Sequence, residues 1–191
     1  MNRRNFVTMS LSLAALALFT TGCTTTSGNS GDPALQRAAI DSAIDNSLSR
    51  LYQEAPGSAD IVAAAKGVLV FPSVISAGFI VGGSQGQGAL RRGGKSTRYF
   101  RMTEASVGLQ AGTQSQAVFI LFMTQDALNR FEASQGWTAG VDGSLSLLTV
   151  GANARVTTQT AQQPIVGFVL TNSGLRANVS LNGNRITPLD L

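Results

Sequence analysis

Five cations fall within eleven positions of one glycine-broken stretch: Arg91, Arg92, Lys95, Arg98 and Arg101, with Gly93-Gly94 between the second and third. No Asp or Glu occurs between Asp60 and Glu104, so no near neighbour in the chain neutralises them. Guanidinium and ammonium groups in such a cluster suit phosphate or another anionic surface. Gly93-Gly94 is predicted as a hairpin turn, because the two-residue loops that match strand twist need positive φ at both central residues. Arg91, Arg92 and Lys95 would then decorate its tip. Arg98 and Arg101 have opposite parity and fall on opposite strand faces, so two to four of the five cations can share a surface. Beside an anionic bilayer each is worth about 1 kcal/mol, less in salt, which is useful only next to another anchor. The competing reading is a solvated hairpin whose charges guard a sheet edge.

Two catalytic patterns are matched and fail on chemistry. Gly82-Gly-Ser84-Gln-Gly86 fits the nucleophile elbow of serine hydrolases, where a histidine takes the serine proton; the chain contains no histidine. A dyad of Ser84 with Lys66 or Lys95 has no support in the spacing. Ala89 to Ser96 fits a relaxed phosphate-binding loop, which requires a helix directly after it. The residues directly after it, Thr97-Arg-Tyr-Phe-Arg-Met102, alternate like a strand. Without histidine the commonest general base and metal ligand are both missing. Asp41 and Asp45, one helical turn apart, read as a solvated face rather than a cation site, and Asp142 in Gly140-Val-Asp-Gly143 reads as a turn residue. The chain is therefore expected to be no enzyme, with no catalytic residues, metal or cofactor.

The elements that would position the cations divide at Gly67. Before it, Asp32-Pro33 reads as a helix start, Ile40, Ile44, Leu48 and Leu51 form a helical stripe to about Glu54, and Pro56-Gly57 breaks it. Ser58 is expected to cap a second short helix ending at Gly67. After Gly67 come short β-rich runs: 68–71, 77–82, 97–111, 117–123, 144–150, 165–170 and 175–181. Only 124–131 interrupts them with a helical period and a Thr cap. Seventeen of the 21 glycines lie from Gly67 onward and read as bends, bulges and close backbone approaches. Phe119, Phe122, Phe131 and Trp137 read as core, with a lipid-chain pocket as the sharper alternative. The fold class expected is α+β: N-terminal helices packed on a curved, possibly barrel-like antiparallel sheet.

The first 22 residues have the order of an export signal: Arg3-Arg4, an apolar run from Phe6 to Phe19, then small residues leading to Gly22-Cys23. The run is too short for a bilayer core that takes about 20 residues. Cys23 is the chain's only cysteine and stands where a bacterial lipoprotein is acylated; Asn2 to Val7 also approximates a twin-arginine signal, so either export route fits. Thr24 after Cys23, in place of Asp, favours the outer membrane. Residues 1–22 are thus read as signal peptide, 23–31 as a lipidated flexible tether, and 32–191 as a single domain, helical over 32–66 and mainly β over 67–191. Loss of the leader takes two arginines with it and leaves 12 basic against 10 acidic side chains, so nucleic acid is not an expected partner.

Blocks along the second half resemble a known family. Gly67-Val-Leu-Val-Phe-Pro72, Ala77-Gly-Phe-Ile-Val-Gly-Gly-Ser84, Gly108-Leu-Gln-Ala-Gly112, Phe131-Glu-Ala-Ser-Gln-Gly-Trp137 and Gly174-Leu-Arg-Ala-Asn-Val-Ser-Leu181 are similar, in order, to successive blocks of the SYLF domain. The resemblance implies a lipid-binding module: eukaryotic members bind phosphoinositides and are linked to actin, and bacterial members are typically small envelope lipoproteins. It brings no catalytic residues. The resulting expectation is an outer-membrane lipoprotein, on the periplasmic face, anchored through acylated Cys23 and binding anionic phospholipid through Arg91, Arg92, Lys95, Arg98 and Arg101. The alternative is a structural or protein-interaction lipoprotein with an envelope protein as partner. Actin is not an expected partner of a periplasmic chain.

Overall fold

The computed structural model describes residues 32–78, 81–107, 112–148, 163–175 and 180–191. The expected leader and tether, with Cys23, lie outside the described residues, as do parts of the 77–84, 108–112 and 174–181 blocks. Helix α1 (Pro33–Glu54) begins as its cap predicts: Asp32 Oδ1 accepts from the Ala34 N–H at 2.9 Å, and Pro33 occupies the first turn, where its missing N–H costs nothing. Helix α2 (Ser58–Ala64) differs in detail. Gly57, at φ +90°, precedes it, and Ser58 is its first residue, buried and donating to the Leu51 carbonyl at 3.3 Å. Ser58 therefore ties α2 back to α1 instead of capping it.

The strands are β1 (Gly67–Gly78), β2 (Val81–Arg92), β3 (Lys95–Val107), β4 (Gly112–Phe122), β5 (Trp137–Thr138), β6 (Ser146–Leu147), β7 (Ile165–Thr171), β8 (Gly174–Leu175) and β9 (Arg185–Pro188), with α3 (Gln125–Ala133) between β4 and β5. They form one sheet in the order β5-β9-β3-β2-β1-β4-β7-β6, with β8 paired to β7. The sheet curls into a half-barrel with the helices α1 and α2 leading it, an α+β fold. One pairing departs from the antiparallel expectation: β6 runs parallel to β7.

Several predicted strands have different bounds. The run 77–82 is not one strand but the place where β1 ends and β2 begins, with Gly78 paired to Gly82; of 97–111, β3 covers the part to Val107, and 108–111 lie outside the described residues. β2 continues through Gln85-Gly-Gln-Gly to Arg92, glycine-rich yet paired along its length to β3 and, on either side of Gly88, to β1. The reason is visible at Gly88, where a Cβ would lie 2.0 Å from the Val70 carbonyl oxygen. Only glycine admits β1 at that distance, beside the register shift between Val70 and Ser73. β9 was not anticipated; it pairs with β3 and β5.

The sheet is packed on both faces. One face carries Leu69, Phe71, Leu90, Phe100, Met102, Ile120 and Phe122 against Leu128 and Phe131 of α3 and against Trp137. The Phe131 ring lies 4.8 Å from Phe122, 5.0 Å from Phe100 and 5.9 Å from Trp137, centroid to centroid. The other face carries Val70, Ala89, Phe119, Leu121, Val166 and Phe168 against Ile40, Ile44 and Leu51 of α1. Phe119, Phe122, Phe131 and Trp137 are all core, as their default reading has it. Among the described residues no helix is long and apolar enough to cross a membrane.

Candidate anion-binding hairpin

The β2–β3 hairpin turns at Gly93-Gly94, with φ of +55° and +80°. Two successive residues in that region are what a strand-compatible two-residue loop demands, and glycine supplies them without a Cβ clash. The register then sets which cation faces what. Arg92 pairs across the turn with Lys95, and Arg91 with Ser96. The register shifts next, because Leu90 pairs with Arg98, so Thr97 is an extra residue in β3. That bulge places Ser96 and Tyr99, which differ in parity, on the same side as α1.

The hairpin does not present its five cations together. Arg91 turns to α1: Nη1 reaches Asp45 Oδ1 at 2.5 Å, Nη2 the Asp41 carbonyl at 3.2 Å and Nε the Ser96 hydroxyl at 3.4 Å, leaving its side chain 10% exposed. Arg92 and Arg98 turn to the opposite face, where Arg92 pairs with the Glu132 carboxylate and Arg98 donates to the Glu132 carbonyl at 3.2 Å. The Arg98 guanidinium also lies 5.5 Å from the Phe100 ring centre, a cation–π distance. Arg101 is partly buried, opposite Gln87, and its Nε has no hydrogen-bond partner. Lys95 is exposed, and among the described residues it forms no ion pair.

Helix α1 supplies the residues that sequence reasoning missed. Asp41 is no solvated carboxylate: Oδ1 accepts from Ser96 Oγ at 2.6 Å and Oδ2 from the Tyr99 hydroxyl at 3.0 Å. Asp45 holds Arg91 while staying 66% exposed. The available signal was their spacing, one residue beyond Ile40 and Ile44 at the edge of the buried stripe. Burial pushes the Tyr99 phenol above its usual value, helped by its hydrogen bond to Asp41. Burial also raises Tyr52, against an opposite pull from the nearby Arg91 charge.

The end of the hairpin keeps a positive excess. Lys66 lies exposed two residues before Val68, which pairs with Arg91, so Lys66, Arg92, Gly93, Gly94 and Lys95 gather at one end of the sheet. Beside them opens a cleft of about 320 Å³ between the turn, α1, α2 and the start of β1. A second cleft, of about 420 Å³, opens at the start of α3, beside Trp137, Asp142 and Ile165. There Asp142 acts as a turn residue, Oδ2 accepting from the Thr138 N–H at 2.6 Å.

The two catalytic patterns have lost their geometry. Ser84 sits inside β2, its hydroxyl on Glu104 Oε2 at 3.2 Å, with no strand-to-helix turn. Lys95 and Ser96 open a strand, not a helix. Among the described residues no three Asp, Glu, Cys or His side chains gather as a metal site.

Residues 103–190 match a family model described as "Ysc84: Las17-binding protein actin regulator". The matched segment starts within β3 and runs to β9, so it takes in α3 and the Trp137 core and begins just after Arg101. No curated protein matches the chain.

Proposed function

The chain carries a domain of the SYLF family, and from that premise we propose that it is a lipoprotein, tethered through acylated Cys23, whose domain binds anionic phospholipid headgroups, phosphoinositides included, without transforming them. The observation that carries this reading is the cationic end of the hairpin: Lys66 and Lys95 exposed and without a carboxylate partner among the described residues, beside the 40%-exposed side chain of Arg92. Arg91 and Arg98 hold the hairpin to α1 and α3, Arg101 is partly buried in the sheet, and the outer three cations meet the membrane. One acyl chain anchors marginally and two or more anchor stably, so acylated Cys23 supplies residence and the domain supplies selectivity at high effective concentration. An outer-membrane position facing the periplasm fits the leader and Thr24, and such a compartment holds no actin. The actin role in the matched model's description is therefore not transferred.

The test uses the chain from residue 23 onward with Cys23→Ser, sedimented at low salt with vesicles of phosphatidylglycerol, of phosphatidylcholine alone, and of phosphatidylcholine carrying phosphoinositide. Wild type is expected to sediment with the anionic vesicles and to be released by salt. Charge reversal by Lys66→Glu with Lys95→Glu lowers binding about tenfold or more, as each basic group near an anionic bilayer is worth about 1 kcal/mol. Failure of wild type to sediment rejects the reading.

A protein-contact reading has one observation in its favour. The far half of β1 to β4 leaves Ser73, Ile75, Gln85 and Ser115 exposed, with Ile75 at 51% and no charge among them. In-cell crosslinking separates the two: protein adducts at Ile75 favour an envelope partner, and lipid adducts at Lys95 favour the membrane.

A further inference from the structure

We infer that the cleft beside the Gly93-Gly94 turn takes one acyl chain of an anionic membrane lipid, with the lipid phosphate against Arg91. This rests on the lipid reading above and deepens it from a charged surface to a pocket. The cleft, about 320 Å³, falls within the roughly 300–1,000 Å³ of small-molecule sites. Its apolar walls come from three elements, Leu48 and Tyr52 of α1, Val62 of α2 and Val68 of β1. Arg91, Gly93 and Gly94 complete it, and no acidic side chain lines it.

Arg91 is fitted to the phosphate. A guanidinium has five N–H donors, and three contacts, to Asp45, the Asp41 carbonyl and Ser96, hold it in place. The remaining donors are oriented before any ligand arrives, so little side-chain freedom is lost on binding. The mouth is open as well: a Cβ on Gly93 or Gly94 would meet nothing within 4 Å. The exposed Lys66 and Lys95 each follow a residue of the cleft lining, Ala65 and Gly94. A bare phosphate would gain nothing from Leu48, Val62 and Val68, and a neutral chain would gain nothing from Arg91. An anionic amphiphile uses both.

The probe is dodecyl phosphate below its micelle concentration, titrated into the chain from residue 23 onward (Cys23→Ser) and followed by amide shifts in NMR. One saturable site is expected, with shifts centred on Tyr52, Val68, Gly93 and Gly94. Ala63→Trp, placed on an exposed residue lining the cleft, fills it and weakens binding at least tenfold. Leu35→Trp, on an exposed part of α1 outside the cleft lining, leaves binding unchanged. The inference is overturned if wild type does not bind, if Ala63→Trp binds as wild type does, or if inorganic phosphate at equal concentration moves the same amides as far. Should Ala63→Trp fail to fold, the wild-type shifts decide, and shifts centred elsewhere overturn it. Sedimentation with phosphatidylglycerol vesicles without dodecyl phosphate binding overturns the cleft and leaves the surface reading intact; binding in the cleft without sedimentation does the reverse.

Discussion

The two faces of the sheet hold their helices by different physics. On one, α3 contributes Leu128 and Phe131 to an aromatic nest, and Glu132 near its end adds a polar tie to Arg92 and Arg98 of the hairpin. On the other, α1 spans 22 residues but fully seats only Ile40, Ile44 and Leu51. The rest of its attachment is polar: Gln36 to Gln87, Arg37 to the Leu191 carbonyl, Asp41 to Ser96 and Tyr99, Asp45 to Arg91, and Arg50 to the Thr171 carbonyl. Apolar burial is non-directional and worth about 1.5–3 kcal/mol per large side chain, whereas a hydrogen bond exchanged with water nets about 1 kcal/mol. The difference teaches that α3 belongs to the core, while α1, the first helix of the described residues, is docked by contacts that an anion or a pH change can reach.

The largest effect should come from the α3 face. Phe131→Ala removes the ring shared by Phe100, Phe122 and Trp137, and is expected to cost about 3–5 kcal/mol in chemical denaturation. A loss under about 1 kcal/mol, the level of an ordinary surface change, would mean that the aromatic nest is not the stability centre, and the contrast between the faces would fall.

Next comes Arg91→Met, which keeps the side chain's bulk but leaves the Asp45 carboxylate without its cation and the Asp41 carbonyl without its donor. About 1.5–3 kcal/mol is expected, the range for hydrogen bonds to charged groups. The sharper readout is amide exchange: α1 should exchange faster while α3 stays protected, as local openings track weak attachment. Equal acceleration of both helices would show one cooperative unit and break the distinction.

Local signals and tertiary pairing divide what the chain reveals in advance. The α1 start was legible because Asp32-Pro33 is a local cap, and α3 because Thr124 precedes a helical period; the hairpin turn was legible in Gly93-Gly94. The β1–β2 boundary was not, since the apolar and glycine run from Ala77 to Gly82 continues through a reversal of direction. β5 and β9 escaped notice because strands of two and four residues exist only through their partners, whereas β6 falls inside the expected run 144–150 and only its parallel direction was hidden. At the hairpin, parity correctly separated Arg98 from Arg101. What the cations meet was hidden, because Asp41, Asp45 and Glu132 lie 40 or more residues away in the chain from Arg91 and Arg92, and only tertiary pairing brings them there. The lack of acidic neighbours in sequence therefore overstated the hairpin's free charge in space.

A smaller effect, confined to the α1 face, is alkaline. Burial and Asp41 raise the folded-state phenol of Tyr99 above 10.0. A raised folded value means that its contribution is complete below the unfolded value and is lost as pH rises through the folded one. Stability should therefore decline above about pH 10. Tyr99→Phe costs about 1 kcal/mol at neutral pH, the worth of its hydrogen bond, and flattens that decline without abolishing it, because Tyr52 is raised too. An unchanged alkaline slope in Tyr99→Phe would show that the phenol is not part of the seam.

The smallest effect separates ion pairs that hold α1 from one that holds nothing. Arg130 and Asp126 pair along α3, one turn apart, with side chains 75% and 70% exposed. Both ends stay in water, where the attraction is screened and offset by the freedom two side chains give up. The α3 helix is fixed by Leu128 and Phe131, so Arg130→Ala should leave the denaturation midpoint and the exchange of α3 amides unchanged. A measurable loss would mean that surface charge contributes to the α3 face as well, and that the two faces differ in degree and not in kind.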